Sequence, residues 1–289
     1  MEKINLKYVA ATIVTLKVAL ISCLFWIIFS THPNPLYTFS FDKEFILFIG
    51  AGFIAQIIDG ALGMAYGVSC STLLLSIGVP PAIASASVHT AEVFTTGVSG
   101  LSHIAMKNID KRLFFRLVFT GVAGAVIGAF LISKILDGKI IKPYIAAYLI
   151  LLGIYILLKS FRQIPVKKSN WKFAPYLGFA GAFFDSIGGG GWGPIVTSNL
   201  IDKGNSPKEV IGTVNTAEFF VTFSSTGVFI FFLGIESWKP VLALIIGGVI
   251  AAPIGAYILR FMRPKTIMRL VGLLIITVST YTIYKSLHS

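Results

Sequence analysis

Two glycine-rich stretches in this sequence each begin with an acid. The first is DGALGMAYG, from Asp59, and the second is DSIGGGGWG, from Asp185. Glycine destabilises a helix by about 1 kcal/mol relative to alanine, so both stretches predict a helix break. A helix that restarts after such a break presents unpaired N–H groups and the positive end of its dipole, which attract an anion. We therefore predict substrate-binding residues at Asp59, Gly63, Gly67, Asp185, Gly189, Gly191 and Gly193.

A polar stripe follows each glycine-rich stretch. Ser85, His89, Glu92, Thr96, Ser99 and His103 are spaced 4, 3, 4, 3 and 4 residues apart, which places them on one helical face. The second stripe contains Asn215, Glu218, Thr222 and Ser225. A polar stripe in a membrane helix faces the protein interior or an aqueous path, and a buried acid there can exchange a proton in the working pH range. The alternative is that the stripe only holds neighbouring helices together by hydrogen bonds. We predict proton coupling or substrate contact for His89, Glu92, Asn215 and Glu218, and substrate binding for Thr90 and Thr216.

The elements that position these residues are membrane helices. The chain has 289 residues, of which 55% are hydrophobic and 12% are charged, and its mean hydropathy is +0.84. Soluble domains carry about 25% charged residues, and apolar runs near the ~20 residues that span a bilayer recur from end to end. The net charge of +12 comes from basic residues in short loops, which set topology and do not indicate nucleic acid. The composition predicts an all-α polytopic membrane protein without a sizeable soluble domain.

An internal repeat organises these helices. The two acidic glycine-rich stretches are 185 − 59 = 126 residues apart, and the same offset aligns SVHTAEVFTT, from Ser87, with TVNTAEFFVT, from Thr213. Each copy has about five helical segments, including short broken helices, and crosses the membrane an odd number of times, which predicts inverted-topology repeats. The predicted organisation is an extra N-terminal transmembrane helix and external loop (1–44), repeat 1 (45–161), a cytoplasmic basic linker (162–173) and repeat 2 (174–289).

The basic loops also predict an orientation. Those around 3–7, 107–112, 159–172 and 260–269 fall on one side of the membrane if the N-terminus is cytoplasmic, whereas the loop with Lys134, Lys139 and Lys142 fits poorly. The expected location is the bacterial inner (plasma) membrane, with several membrane passes. Whether the protein forms a homodimer stays open.

Two enzyme-like motifs are present, but their sequence context does not support an enzyme. GGGGWG contains GxGxxG, but that dinucleotide fingerprint requires a strand and a βαβ unit. GVSG, from Gly97, matches a motif of intramembrane serine proteases with Ser99 as the nucleophile, yet the second copy has SSTG there. Cys23 and Cys70 lack metal-ligand spacing. The sequence therefore predicts no catalytic residues, no metal and no cofactor.

The same motifs resemble those of the TauE/SafE family of sulfite-exporter-like membrane permeases. The resemblance rests on both glycine-rich stretches and on the segments that follow, GVPPAIASASVHTAEV from Gly78 and GNSPKEVIGTVNTAEF from Gly204. It covers about residues 45–286. It implies a secondary transporter of small sulfur-containing anions, of the sulfite, thiosulfate or organosulfonate class, with inverted repeats and a central site. On the resemblance, the substrate-lining role falls on Gly63, Gly67, Gly189, Gly191 and Gly193.

A second functional interpretation stays open at this point. No basic residue lies at the predicted centre, whereas four acids do, so a cation- or proton-exchanging transporter is the alternative to a proton-linked anion transporter. The expected partners are a small anion, protons and the lipid bilayer, with no nucleic acid. The four acids that would form the cation site are Asp59, Glu92, Asp185 and Glu218.

Overall fold

Helices are the only regular secondary structure in the described part of the chain. In the computed structural model, five helices are long and apolar enough to cross a membrane. Large apolar side chains such as Trp26, Phe119 and Phe231 are exposed on their outer faces, as expected where lipid is the solvent. The predicted all-α polytopic membrane fold is confirmed. The structure describes residues 6–31, 42–62, 64–161, 171–202, 207–234, 238–258 and 264–288.

Within the described residues, eleven α-helices follow the predicted apolar segments. Only helices satisfy every backbone group within a single membrane segment, which is why the apolar runs become helices. Two π-helical turns, Leu131–Ile135 and Trp192–Thr197, extend α5 and precede α8. The α-helices are α1 (Leu6–Thr31), α2 (Lys43–Leu62), α3 (Tyr66–Ser76), α4 (Pro81–Ala105), α5 (Lys111–Phe130), α6 (Gly138–Lys159), α7 (Ala174–Gly188), α8 (Ser198–Asp202), α9 (Pro207–Leu233), α10 (Trp238–Ile258) and α11 (Pro264–His288).

Local sequence explains several helix starts. The side chain of Asp110 accepts hydrogen bonds from the first amides of α5, and that of Asp137 does the same at α6. Such caps satisfy amides that have no partner inside the helix. Pro81 opens α4, where a first-turn residue needs no N–H.

The helices pack in pairs, and each pair has an equivalent when the two repeat copies are exchanged. Helix α2 packs on α10 and α7 packs on α5, while α4 packs on α9 and α6 on α11. Glycines allow the close approach: a side chain at Gly52 would meet the Leu244 backbone, and one at Gly178, 126 residues later, would meet Thr120. These pairings are those that a twofold relation between the copies would give. The inversion of the second copy and the repeat boundaries stay predictions.

The centre of the molecule is the contact between α4 and α9, the two helices that carry the polar stripes. Two clusters of buried apolar residues flank it, one around Leu74, Leu149 and Leu244 and one around Leu117 and Phe219. Helix α1 lies outside the paired set and packs on α4. The Lys17 ammonium on α1 donates to the Phe94 carbonyl over 3.3 Å, so α4 holds this half-buried cation.

Candidate functional site

The chain leaves helical geometry at both predicted places. Helix α2 ends at Leu62 and α3 begins at Tyr66, while α7 ends at Gly188 and the next helical turn begins at Trp192. Gly189 has φ +66°, the left-handed conformation that commonly terminates a helix at glycine. We call the glycine-rich stretches Asp59–Gly67 and Asp185–Gly193 the first and second breaks. Gly63, a predicted binding residue, lies outside the described residues.

The two breaks pack directly against each other. A Cβ on Gly67 would lie 2.9 Å from both the Gly189 carbonyl oxygen and Glu92 Oε1, and one on Gly193 would overlap the Met64 backbone. A Cβ on Gly190 would lie 2.5 Å from Val68 Cα. These glycines are therefore required for close approach of backbone to backbone.

Side chains from other helices hold the second break in place. The Ser71 hydroxyl of α3 donates to the Gly189 carbonyl over 2.7 Å, and the Tyr148 hydroxyl of α6 donates to the Gly190 carbonyl over 2.8 Å. The Ser85 hydroxyl of α4 donates to the Ser186 carbonyl over 2.6 Å. Neither Ser71 nor Tyr148 was predicted from the sequence.

The acid of the first break binds backbone. Asp59 Oδ1 accepts hydrogen bonds from the amides of Ala65, over 2.9 Å, and Tyr66, over 3.2 Å. These amides lie at the start of α3, the position predicted from the sequence to attract an anion from solution. In this conformation the chain's own carboxylate already occupies that position.

The acid of the second break faces a histidine instead. Asp185 Oδ2 lies 3.3 Å from His89 Nε2, and both side chains are almost fully buried. The other ring nitrogen, His89 Nδ1, lies 2.8 Å from the Ser85 carbonyl oxygen. Glu92, one turn further along α4, has an oxygen within 4.8 Å of donor atoms of both His89 and Asp185.

These groups surround a polar cavity of about 280 Å³ where the breaks meet the stripes. Its lining includes the four predicted acids, and among the residues described by the structure it contains no lysine or arginine. His89 lies behind Asp185 and does not line it. The predicted residues in the lining are Asp59, Gly67, Glu92, Asp185, Gly191, Gly193, Asn215 and Glu218.

The remaining stripe residues divide into two groups. Asn215 Nδ2 donates to Ser99 Oγ over 3.0 Å, which joins the stripes of α9 and α4. The hydrogen-bond partner of Ser99 is thus an amide, and not the histidine that would activate a serine nucleophile. The hydroxyls of Thr96, Thr222 and Ser225 bond carbonyls of their own helices and do not bridge helices.

Thr90 and Thr216 lie outside the cavity lining. Thr90 Oγ1 donates to the Ala86 carbonyl, and the residue lines a separate apolar cavity between α1, α4, α9 and α10. Thr216 Oγ1 donates to the Gly212 carbonyl, and the residue packs against Gly100. In this conformation, their hydroxyls donate hydrogen bonds to the backbone of their own helices.

An all-helical membrane protein whose two interrupted helices meet at a polar cavity has the architecture of a membrane transporter. The comparison with known families agrees. The model of the Sulfite exporter TauE/SafE family matches residues 48–282. The chain belongs to this family of membrane permeases.

Individual relatives support the same assignment. The chain is 45% identical over 250 residues to the probable membrane transporter protein YtnM of Bacillus subtilis, covering 83% of both chains. It is 24% identical over 276 residues to the probable membrane transporter protein YunE of the same organism, covering 85% of this chain and all of that one. It is also 26% identical over 93 residues to Sulfite exporter TauE/SafE family protein 3 of Arabidopsis thaliana, covering 32% of this chain and 20% of that one. No solved structure matches the chain.

Proposed function

We propose that this protein carries small sulfur-containing anions, of the sulfite, thiosulfate or organosulfonate class, across the membrane together with protons. The family supports the cargo class, because the matching family and one relative are named for sulfite export. The observation that carries the proposal is the cavity of about 280 Å³ at the meeting point of the two breaks. Its size suits an anion of a few heavy atoms.

The acids in the lining provide the physical reason for proton coupling. Two unit charges 4 Å apart interact by about 4 kcal/mol in a partly screened protein environment, so ionised carboxylates would repel an anion strongly. Once protonated, the same carboxyl groups become neutral and can donate hydrogen bonds to anion oxygens. An anion therefore binds with protons, and their loss expels it. We assign this role to Glu92 and Glu218, with Asn215 as a further donor.

The proposal includes an orientation for the protein. By the positive-inside rule, the basic loops favour a cytoplasmic N-terminus in a bacterial inner-membrane protein, and we propose that the second repeat is inverted relative to the first. The matched pairing of α2 with α10 and of α7 with α5 supports the repeat relation. A reporter enzyme fused after His288, active only on one side of the membrane, tests the predicted orientation.

Transport in proteoliposomes tests the function. We expect radiolabelled sulfite or thiosulfate to accumulate when a proton gradient is imposed, and uptake to fall as the pH on the loading side rises. Glu92→Gln and Glu218→Gln replace an acid by an amide that cannot exchange a proton, so uptake should lose this pH dependence. Glu209→Gln is the matched control, because Glu209 is exposed at the start of α9. Wild-type pH dependence in both cavity variants would remove the coupling claim.

Cation exchange is the second candidate function. The observation that favours it is the lining of the cavity, in which the four acids Asp59, Glu92, Asp185 and Glu218 meet no lysine or arginine among the described residues. This candidate predicts sodium or proton flux without a sulfur anion. Thermal unfolding of the purified protein with sulfite, thiosulfate, taurine or sodium separates the two, because a ligand that binds only the folded state stabilises it. Stabilisation by sodium alone would replace the anion proposal.

A further inference from the structure

The His89–Asp185 pair contains two atoms that repel each other unless a proton lies between them. His89 Nδ1 lies 2.8 Å from the Ser85 carbonyl oxygen, which can only accept a hydrogen bond, so Nδ1 carries a hydrogen. In a neutral ring, Nε2 is then a bare acceptor. It faces Asp185 Oδ2 at 3.3 Å, and an ionised carboxylate is also only an acceptor.

Neither atom has an alternative partner in the described part of the chain. His89 Nε2 and Asp185 Oδ2 are both buried and make no other hydrogen bond there. One added proton resolves the conflict, because the imidazolium then donates Nε2–H to the Asp185 carboxylate. We propose that His89 and Asp185 together bind a coupled proton in addition to those on Glu92 and Glu218, and that this proton holds the second break against α4. This inference rests on the proposed function and adds one proton site to it.

The surroundings of the pair favour a bound proton. Glu92 faces it from α4 itself, within 4.8 Å. The other titratable groups around it are acidic or neutral, and among the described residues no lysine or arginine lines the adjoining cavity. The Phe229 ring, 5.7 Å from the His89 ring centre, shields it on the apolar side. Tyr148 of α6 and Glu218 of α9 interact electrostatically with Asp185, and Asp59 of α2, Tyr66 of α3 and His103 of α4 line the same cavity.

The contact would work as a proton-dependent latch. Ser71, Ser85 and Tyr148 also hold the second break, but their hydroxyls donate to carbonyls at any physiological pH. Only the His89–Asp185 contact needs an exchangeable proton. Loss of that proton leaves two acceptors face to face, which drives α4 and the second break apart and changes the wall of the cavity.

Two substitutions replace the exchangeable proton by a fixed donor. His89→Gln and Asp185→Asn each supply an amide N–H that bridges the pair without an added proton. In proteoliposomes with an internal pH-sensitive dye, we expect these variants to move fewer protons per sulfite than the wild type. The control is Asp137→Asn, the same change at an exposed cap of α6, which should leave sulfite-driven proton movement at the wild-type level. An unchanged ratio of protons to sulfite in both pair variants would overturn the proposal.

Nitrogen NMR of labelled histidine tests the pair without transport. The chain has four histidines, and the His89→Gln variant identifies the His89 signals by their loss. We expect both ring nitrogens of His89 to be proton-bound in the wild type and only Nδ1 to be so in Asp185→Asn. A bare Nε2 in the wild type, or signals that a chelator shifts because a metal ion is bound, would contradict a shared proton. Failure of all sulfur anions to bind would refute the proposed function, whereas a wild-type ratio of protons to sulfite in both variants would refute only the latch.

Discussion

The two breaks begin with equivalent aspartates, and the structure uses these aspartates in different ways. Asp59 binds backbone amides at the start of α3, so it stabilises the first break by itself. Asp185 turns to the His89 ring on α4, so it joins the second break to a different helix. Asp59 therefore binds nearby backbone, whereas Asp185 contacts a residue 96 positions away in the chain, since 185 − 89 = 96.

A single position in the facing helices accounts for much of this difference. His89 of α4 corresponds to Asn215 of α9 under the offset of 126 residues. Asn215 donates to Ser99 and makes no hydrogen bond to Asp59 among the described residues, whereas the His89 ring reaches Asp185. An amide has a permanent donor, but a histidine gains its second donor only by protonation. The comparison suggests a first break that is fixed and a second break that responds to protons.

The largest expected effect comes from filling the contact between the breaks. Gly193→Ala places a Cβ on the Met64 backbone, and Gly190→Ala places one on Val68. Backbone cannot move aside as a side chain can, and overpacking costs about 1–3 kcal/mol or more. We expect lower yields of monodisperse protein and a lower midpoint of thermal unfolding in detergent.

The control for this prediction is a helical glycine with open space. A Cβ on Gly227 of α9 meets nothing within 4 Å, so Gly227→Ala should be neutral or stabilising by roughly 0.5–1 kcal/mol. Wild-type stability in both Gly190→Ala and Gly193→Ala would mean that the breaks do not touch, and the comparison between them would lose its basis.

Changes at Asp59 have a smaller expected effect and sharpen the comparison. Asp59→Asn keeps an oxygen that accepts from Ala65 and Tyr66, whereas Asp59→Ala removes the cap of α3. Loss of a cap costs about 0.5–2 kcal/mol. We therefore expect thermal unfolding of Asp59→Ala well below that of Asp59→Asn. Equal destabilisation by both changes would show that the charge of Asp59, and not its cap, stabilises the first break.

Much of the fold was predictable because each signal was local. Runs of apolar residues predicted the helices, and glycine-rich stretches predicted the two breaks, since both effects act within one segment. The polar stripes likewise placed Glu92 and Glu218 at the cavity, because residues 3 or 4 apart share a helical face. Thr90, one residue beyond His89, points about 100° around the helix and lines a different cavity.

The contacts of the breaks were not predictable, because they depend on residues that are distant in the chain. Asp59 and Asp185 have the same local setting, so their motifs alone could not show that one binds amides and the other a ring. Tyr148 reaches Gly190 from α6, 42 residues earlier in the chain, and sits in an apolar run without a polar pattern. Such contacts depend on how the helices pack, which local periodicity does not specify.

The smallest expected effect comes from Tyr148, a contact made only by the second break. Tyr148→Phe keeps the ring and removes the donor to the Gly190 carbonyl, which lowers stability by about 0.5–1.5 kcal/mol. Tyr144→Phe is the matched control, because Tyr144 lies one turn away on α6 and is 67% exposed. If the second break is the responsive one, Tyr148→Phe should also loosen it, and amide hydrogen exchange at Gly189–Gly191 should rise while exchange at Ala65 and Tyr66 stays unchanged. Equal increases at both breaks would show that they move as one unit.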